Sequence, residues 1–328
     1  QGFIWFATTD GLVRYDGYRC KIYKHDPDDP NSISWNSLRS VFVDSKDNLW
    51  IGTGLKGLNR FDREKERFIR YKSDKNDSTS LSHNSHVKAI YEDNQGRLWI
   101  GTSYGLNLYN PENDNFTRYT YNSHDSNSIH PWDIHCIYED SRNNFWVATG
   151  YGLELFDRET GKVVHFKHNP KDPTSICGNV LRYLFEDSEG VLWVGTTAGY
   201  DHLIFEGDKI IFNRVKLKEG RSFNCKTKKA FDLYERKGSQ KLTNAHHLTD
   251  FVDRKGNIWI GTRFEGIKLY TARNRFHTYK YDPDAPEGLR YWSVYAICES
   301  LNGNLWIGVR NEGFHYYNRA NNCFTHFP

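Results

Sequence analysis

Methionine is missing from all 328 residues, a gap that is improbable by chance. Cysteine is sparse. Cys20, Cys136, Cys177, Cys225, Cys298 and Cys323 form no C-x-x-C or other metal-type spacing, so isolated thiols are expected rather than a disulfide framework. No apolar run approaches the roughly 20 residues that cross a bilayer. No signal peptide, low-complexity segment or linker is expected within these residues. Charge of one sign is lacking as well: 44 Lys and Arg stand against 41 Asp and Glu, a net of +3. That excludes a nucleic-acid binder driven by bulk charge.

Aromatics, by contrast, make up 16% of the chain, and seven of the ten tryptophans sit in one recurring phrase. It reads Leu49-Trp50-Ile51-Gly52-Thr53, Leu98-Trp99-Ile100-Gly101-Thr102 and Phe145-Trp146-Val147-Ala148-Thr149. It returns as Leu192-Trp193-Val194-Gly195-Thr196, Ile258-Trp259-Ile260-Gly261-Thr262 and Leu305-Trp306-Ile307-Gly308-Val309, and the copy around Trp5 opens the chain. The tryptophans are spaced 45, 49, 47, 47, 66 and 47 residues apart. A period near 47 built from short apolar runs is the signature of propeller blades rather than helical solenoids. The long interval places an insertion in the fifth repeat.

Each repeat follows one grammar. An apolar run ends in an acid, as in Val87 to Asp93, and a turn follows with Gly2, Asp47, Gly96, Asn143, Gly190, Gly256 or Gly303 three residues before the tryptophan. These residue types tolerate positive φ. After the tryptophan strand comes a second turn with Gly11, Gly57, Gly105, Gly152, Gly199, Gly266 or Gly313. A Gly-Leu-x-x-Phe/Tyr-Asp strand and a more polar fourth strand complete the repeat. The expected fold is therefore all-β: a seven-bladed β-propeller of four-stranded antiparallel blades in one domain, 1–328. The expected blades are 1–30, 31–78, 79–126, 127–172, 173–242, 243–286 and 287–328. Gln1 falls in the first turn of blade 1, so that blade is expected to lack its innermost strand and the chain to be a piece of a longer protein. Inner strands of stacked blades are apolar on both faces. Leu98 and Ile100 then fill one interface, Trp99 the other, and the following glycine makes room for the neighbouring blade. The tryptophan column is core.

The phrase "EDxxGxLWIGTxxGLxxY" resembles the two-component regulator propeller repeat, over essentially the whole chain and in seven copies. Blade 5 departs from it after Trp193, and blade 7 replaces the acid pair by Glu299-Ser300. The resemblance implies a periplasmic, non-catalytic sensor region of a Bacteroides-type hybrid two-component system that signals to a histidine kinase. It also implies an oligosaccharide ligand released from a complex glycan. Family members continue into a second propeller, an immunoglobulin-like domain, a membrane helix and kinase modules. Partners would be the sugar and further domains of the same receptor, with a homodimer left open, no nucleic acid, and membrane contact only through segments outside this chain.

The residues give an independent view of where a ligand would sit. In a propeller, the loops entering the innermost strands and the turns between strands two and three share one face. The three tryptophans outside the repeat column, Trp35, Trp132 and Trp292, all fall in entering loops, which also carry His83, His246 and Tyr291. Five residues before the terminal acid position of the innermost strand stand Arg39, Lys88, His135, Arg182, Leu248 and Tyr295. Convergent cations in a cleft focus the field on an acidic group, and Arg forks match carboxylate or sulfate. The alternative is that these cations pair with Asp133 or line the channel. No cofactor or metal is assigned, because His83-x-x-His86 and His246-His247 lack a third ligand at fixed spacing. The insertion, taken as Glu206 to Lys241, holds eleven Lys and Arg against five acids; a solvated hairpin and a functional element are both open. Two other classes compete with a sensor. A propeller-fold polysaccharide lyase or glycosidase would need a proton-exchanging pair, for which Asp133 is the main candidate. A protein-interaction scaffold needs nothing that the sequence excludes.

Overall fold

Each tryptophan strand forms because its residues can be buried on both sides. In the computed structural model, Leu49–Thr53, Leu98–Thr102, Phe145–Thr149, Leu192–Thr196 and Ile258–Thr262 are buried at every position. The structure describes residues 3–15, 19–187, 190–207, 209–215, 247–255, 257–262, 266–271, 276–285, 287–300, 302–309 and 313–327. Every regular element among them is a β-strand. These strands form seven antiparallel sheets, each a meander in sequence order. Seven such sheets are the blades of an all-β, seven-bladed β-propeller. Blade 1 has three strands (Ile4–Thr8, Gly11–Tyr15, Cys20–Tyr23) and the other six have four.

The chain divides into two compact units, Gln1–Leu184 and Phe185–Pro328. In the first unit, blade 2 comprises Leu38–Val43, Leu49–Thr53, Leu58–Asp62 and Arg67–Tyr71. Blade 3 comprises Ala89–Glu92, Leu98–Thr102, Gly105–Asn110 and Asn115–Tyr119. Blade 4 comprises Ile134–Glu139, Phe145–Thr149, Gly152–Phe156 and Val163–Phe166. The tryptophans of blades 2 and 3 pack into the apolar layer shared with the next blade. Trp50 clusters with Leu98 and Ile100, and Trp99 clusters with Phe145 and Val147. The glycine expectation holds too: a Cβ on Gly101 would lie 2.5 Å from Ile134 of blade 4.

The second unit repeats this plan. Blade 6 (His247–Val252, Ile258–Thr262, Ile267–Tyr270, Phe276–Tyr279) meets blade 7 (Val294–Glu299, Leu305–Val309, Phe314–Asn318, Cys323–Phe327) through Trp259, Leu305 and Ile307. Blade 5 begins with Leu181–Glu186, the strand that carries the chain across the division, and continues with Leu192–Thr196, Tyr200–Glu206 and Lys209–Val215. The last two form a hairpin turned at Gly207, where φ is 61°. This corrects the insertion's start: Lys209 and Arg214 belong to a blade strand, because residues 200–206 pair with them in unbroken register. The rest of the insertion, and His246, lie outside the described residues.

One end of the blades is built on the acid pair. The aspartate closing the first strand accepts the indole N–H of its own blade's tryptophan: Trp50 to Asp44 2.9 Å, Trp99 to Asp93 2.9 Å, Trp146 to Asp140 2.8 Å, Trp193 to Asp187 2.8 Å and Trp259 to Asp253 2.9 Å. It also accepts turn N–H groups such as Asn48 N and Asn144 N, both at 2.8 Å. The turn's left-handed residues include Asp47 and Asn143, each with φ 64°. The glutamate before the aspartate reaches the preceding blade, where Glu92 accepts Ser45 N at 2.7 Å and Glu139 accepts Asn94 N at 2.8 Å. The acids are thus turn-formers, indole acceptors and blade-to-blade ties.

Candidate functional site

The opposite end carries the entering loops and the turns between strands two and three. Backbone bonds tie them together: Gly54 N donates to Ser37 O at 2.9 Å, Ser103 N to Ser85 O at 3.1 Å and Gly150 N to Asp133 O at 3.0 Å. The first "x" of the third-strand phrase is a polar residue in blades 2 to 7. Asn59, Asn107, Glu154, Asp201, Lys268 and His315 are all at most 2% exposed. Asn59 accepts Ser34 N at 2.9 Å and Asn107 accepts Ser82 N at 2.7 Å, so each holds its own entering loop.

The near-equivalence of Arg39, His135, Leu248 and Tyr295 has a structural cause. Register between the first and second strands shifts between Leu38 and Ser40, Ile134 and Cys136, His247 and Thr249, and Val294 and Ala296. The residue left over at each shift is the one singled out by counting. One extra residue makes a β-bulge, which bends the strand and re-aims a side chain.

In the first unit, two of the counted basic positions, together with His86 of an entering loop, converge on an acid. Lys88 Nζ donates to Asp133 Oδ2 at 2.8 Å, His86 Nδ1 lies 3.1 Å from the same oxygen, and His135 Nε2 lies 3.9 Å away. Burial pushes the Asp133 carboxyl up, but hydrogen bonds from Lys88, Ser103 and His86 and the Lys88 charge outweigh that and hold it well below the usual range. His135 Nδ1 bonds the Leu181 carbonyl at 2.6 Å. Burial, then the charges of Lys88 and Arg182, lower its pKa. Lys88 is therefore paired, whereas Arg39 and Arg182 are exposed.

The loop aromatics divide. Trp132 is 50% exposed and stacks on Tyr151, itself 40% exposed, at 5.7 Å and 16°. Lys167 Nζ sits 4.4 Å over the Tyr151 ring. His83 is half-buried against Tyr104 at 4.8 Å, and burial and His86 lower its pKa. Trp35 is half-buried, with Lys56 Nζ 5.7 Å from its ring. In the second unit Trp292 is 45% exposed and meets Tyr281 edge-on at 5.2 Å, while Tyr291 packs on the blade 6–7 core. Tyr104 and Tyr151 were missed, although Ser103-Tyr104-Gly105 and Gly150-Tyr151-Gly152 occupy the very turns assigned to this face. Two surface clefts, one from Ile22 to Phe68 and one from Gln95 to Val164, are lined by none of the candidate residues.

Fold and loop end together define a β-propeller with a structural end and a chemically diverse end. Residues 80–104, 133–151 and 175–198 match the two component regulator propeller family. No curated protein matches the chain. Among solved structures, it is similar to an extracellular domain assigned to the hybrid two component system BT3049 from B. thetaiotaomicron, at 23% identity and TM-score 0.68, covering 96% of this chain and 38% of that one. It is also similar to PorZ, a surface component of the type-IX secretion system of Porphyromonas gingivalis, at 17% identity and TM-score 0.56, covering 93% and 42%. A streptogramin B lyase matches at 15% identity and TM-score 0.53, covering 94% of this chain and 87% of that one. The chain thus spans 38% of the first of these structures. At such identities the likeness is one of fold, and the fold hosts both sensors and enzymes.

Proposed function

We propose that this propeller is a ligand-recognition segment of an extracytoplasmic, periplasmic sensor in a two-component system, and that its ligand is an acidic or polar oligosaccharide. The family repeats and the likeness to an extracellular two-component domain support the sensor reading. The observation that carries the ligand class is the exposed Trp132–Tyr151 stack, beside the Lys88–His86–His135–Asp133 cluster on the same loop end. Amphipathic rings offer sugars an apolar face, and Arg182 and Arg39 offer charged donors to carboxylate or sulfate. The reading is non-catalytic. Asp133, the best-placed acid, is held ionised by Lys88 and His86, which suits an anchor rather than a group that exchanges protons near neutral pH. Calorimetric titration with neutral, uronic and sulfated oligosaccharides tests this. Binding of a charged member, weakening as salt rises, is the expected result. Turnover of any member would replace the sensor reading by an enzymatic one.

A further inference from the structure

Beneath the Trp132 loop, blade 4 departs from blades 2 and 3 at three places at once. In blade 2 the buried Asn59 holds Ser34, and its register partner Arg70 donates to the loop carbonyls Ser32 O and Asp29 O at 2.8 Å each. Blade 3 uses Ser82, Asn107 and Arg118 in the same way. Blade 4 has His130, Glu154 and His165 at these positions, and the loop-holding bonds survive. Glu154 Oε1 accepts His130 N at 2.9 Å, and His165 Nε2 lies 3.0 Å from the Ser126 carbonyl. The substitutions therefore add something that holding the loop does not require.

What they add is a convergent set of ligand atoms. His130 Nδ1 is 2.7 Å and His165 Nδ1 3.3 Å from Glu154 Oε1, and the three ligand atoms lie within 4.8 Å of one another. Glu154 is 1% exposed, and its Oε2 has no hydrogen-bond partner. A carbonyl only accepts, so His165 must carry its proton on Nε2. A neutral His165 then turns the Nδ1 lone pair toward the carboxylate, an arrangement that a cation between them resolves. A ligating imidazole donating its other N–H to a backbone carbonyl is the usual outer-shell arrangement of a metal site.

We propose that His130, Glu154 and His165 bind one divalent transition-metal ion of the zinc class, tying the Trp132 loop to the third and fourth strands of blade 4. Two imidazoles with one carboxylate suit zinc, whereas calcium and magnesium take oxygen ligands. Three protein ligands leave a fourth position for water or a ligand oxygen. The side chains of His130 and His165 are 16% and 19% exposed, so an ion can enter from solvent. Blade 7 supplies an internal control. His315 and His326 pair in the same register, but among the described residues no carboxylate joins them, and the charge of Arg290 acts on His315.

The test is a zinc titration of chelator-treated protein against a competing chromophoric chelator, with cobalt absorption as the coordination readout. One zinc per chain and a raised Tm are expected. The pair Glu154→Asn with His165→Arg, which installs the Asn–Arg pair of blades 2 and 3, should keep the fold and abolish the site. His165→Asn alone, a milder change, should weaken zinc at least about a hundredfold, the upper range for losing even an outer-shell partner. His326→Ala should leave the affinity unchanged. Failure of the wild type to take zinc, or equal affinity in His165→Asn, overturns the proposal.

Discussion

Blades 2, 3 and 4 are nearly interchangeable at one end and dissimilar at the other. At the acid end, Asp44, Asp93 and Asp140 each accept an indole N–H and a turn N–H with distances that agree within 0.1 Å. At the loop end the equivalent places hold Ser34, Ser82 and His130, then Asn59, Asn107 and Glu154, then Arg39, Lys88 and His135. One end answers to a requirement every blade shares, the closing of a turn over a buried ring. The other end keeps a Ser–Asn pair in blades 2 and 3, changes it to His–Glu in blade 4 and varies the basic residue at each blade, which is where recognition has freedom to act.

This contrast can be broken most directly at the ring. Trp146→Ala should cost about 3–5 kcal/mol, the range for removing a large buried aromatic, read as a fall in denaturation midpoint with unchanged affinity in the surviving folded fraction. Asp140→Ala should cost less, about 2–3 kcal/mol, since it strands the Trp146 indole and the N–H groups of Arg142 and Asn144. If its denaturation midpoint matches the wild type, the aspartate is not a lock.

A buried loop-end group should show a pH dependence instead. Burial, then the charges of His326 and Arg290, lower the His315 pKa from 6.5 to about 3. The unfolded chain therefore binds the extra proton first. The stability this group contributes is fully present above pH 6.5 and is lost as pH falls from there toward about 3. His315→Asn, borrowing the blade 3 residue, should flatten the Tm profile in that window. An unchanged profile would mean that His315 is not held neutral.

Sequence alone made the architecture legible because the blade requirement is local and periodic. The tryptophan phrase, the left-handed turn residues and the glycine facing Ile134 all follow from spacing. The site was legible in part: counting back from the acid found Arg39 and His135, and the bulge explains why that worked. It offered Asp133 as a partner for the counted cations, which holds for Lys88, but did not single out His86, which reaches the same carboxylate from the neighbouring blade. Nor did it reveal Glu154, whose partners His130 and His165 lie on separate elements with no fixed spacing. Tyr151 was hidden by its turn, where only the glycine was noticed.

The division of labour between the two ends is tested most directly by Trp132→Ala and Arg182→Ala, in a calorimetric titration with the oligosaccharide that binds the wild type best, alongside thermal melts. Both variants should keep the wild-type Tm. Each should lose affinity about tenfold or more, as expected for a charge-assisted bond of roughly 1.5–3 kcal/mol at Arg182 and a stacking aromatic at Trp132. Wild-type affinity in both variants, or a Tm loss in Trp132→Ala like that of Trp146→Ala, would contradict the assignment of recognition to the loop end.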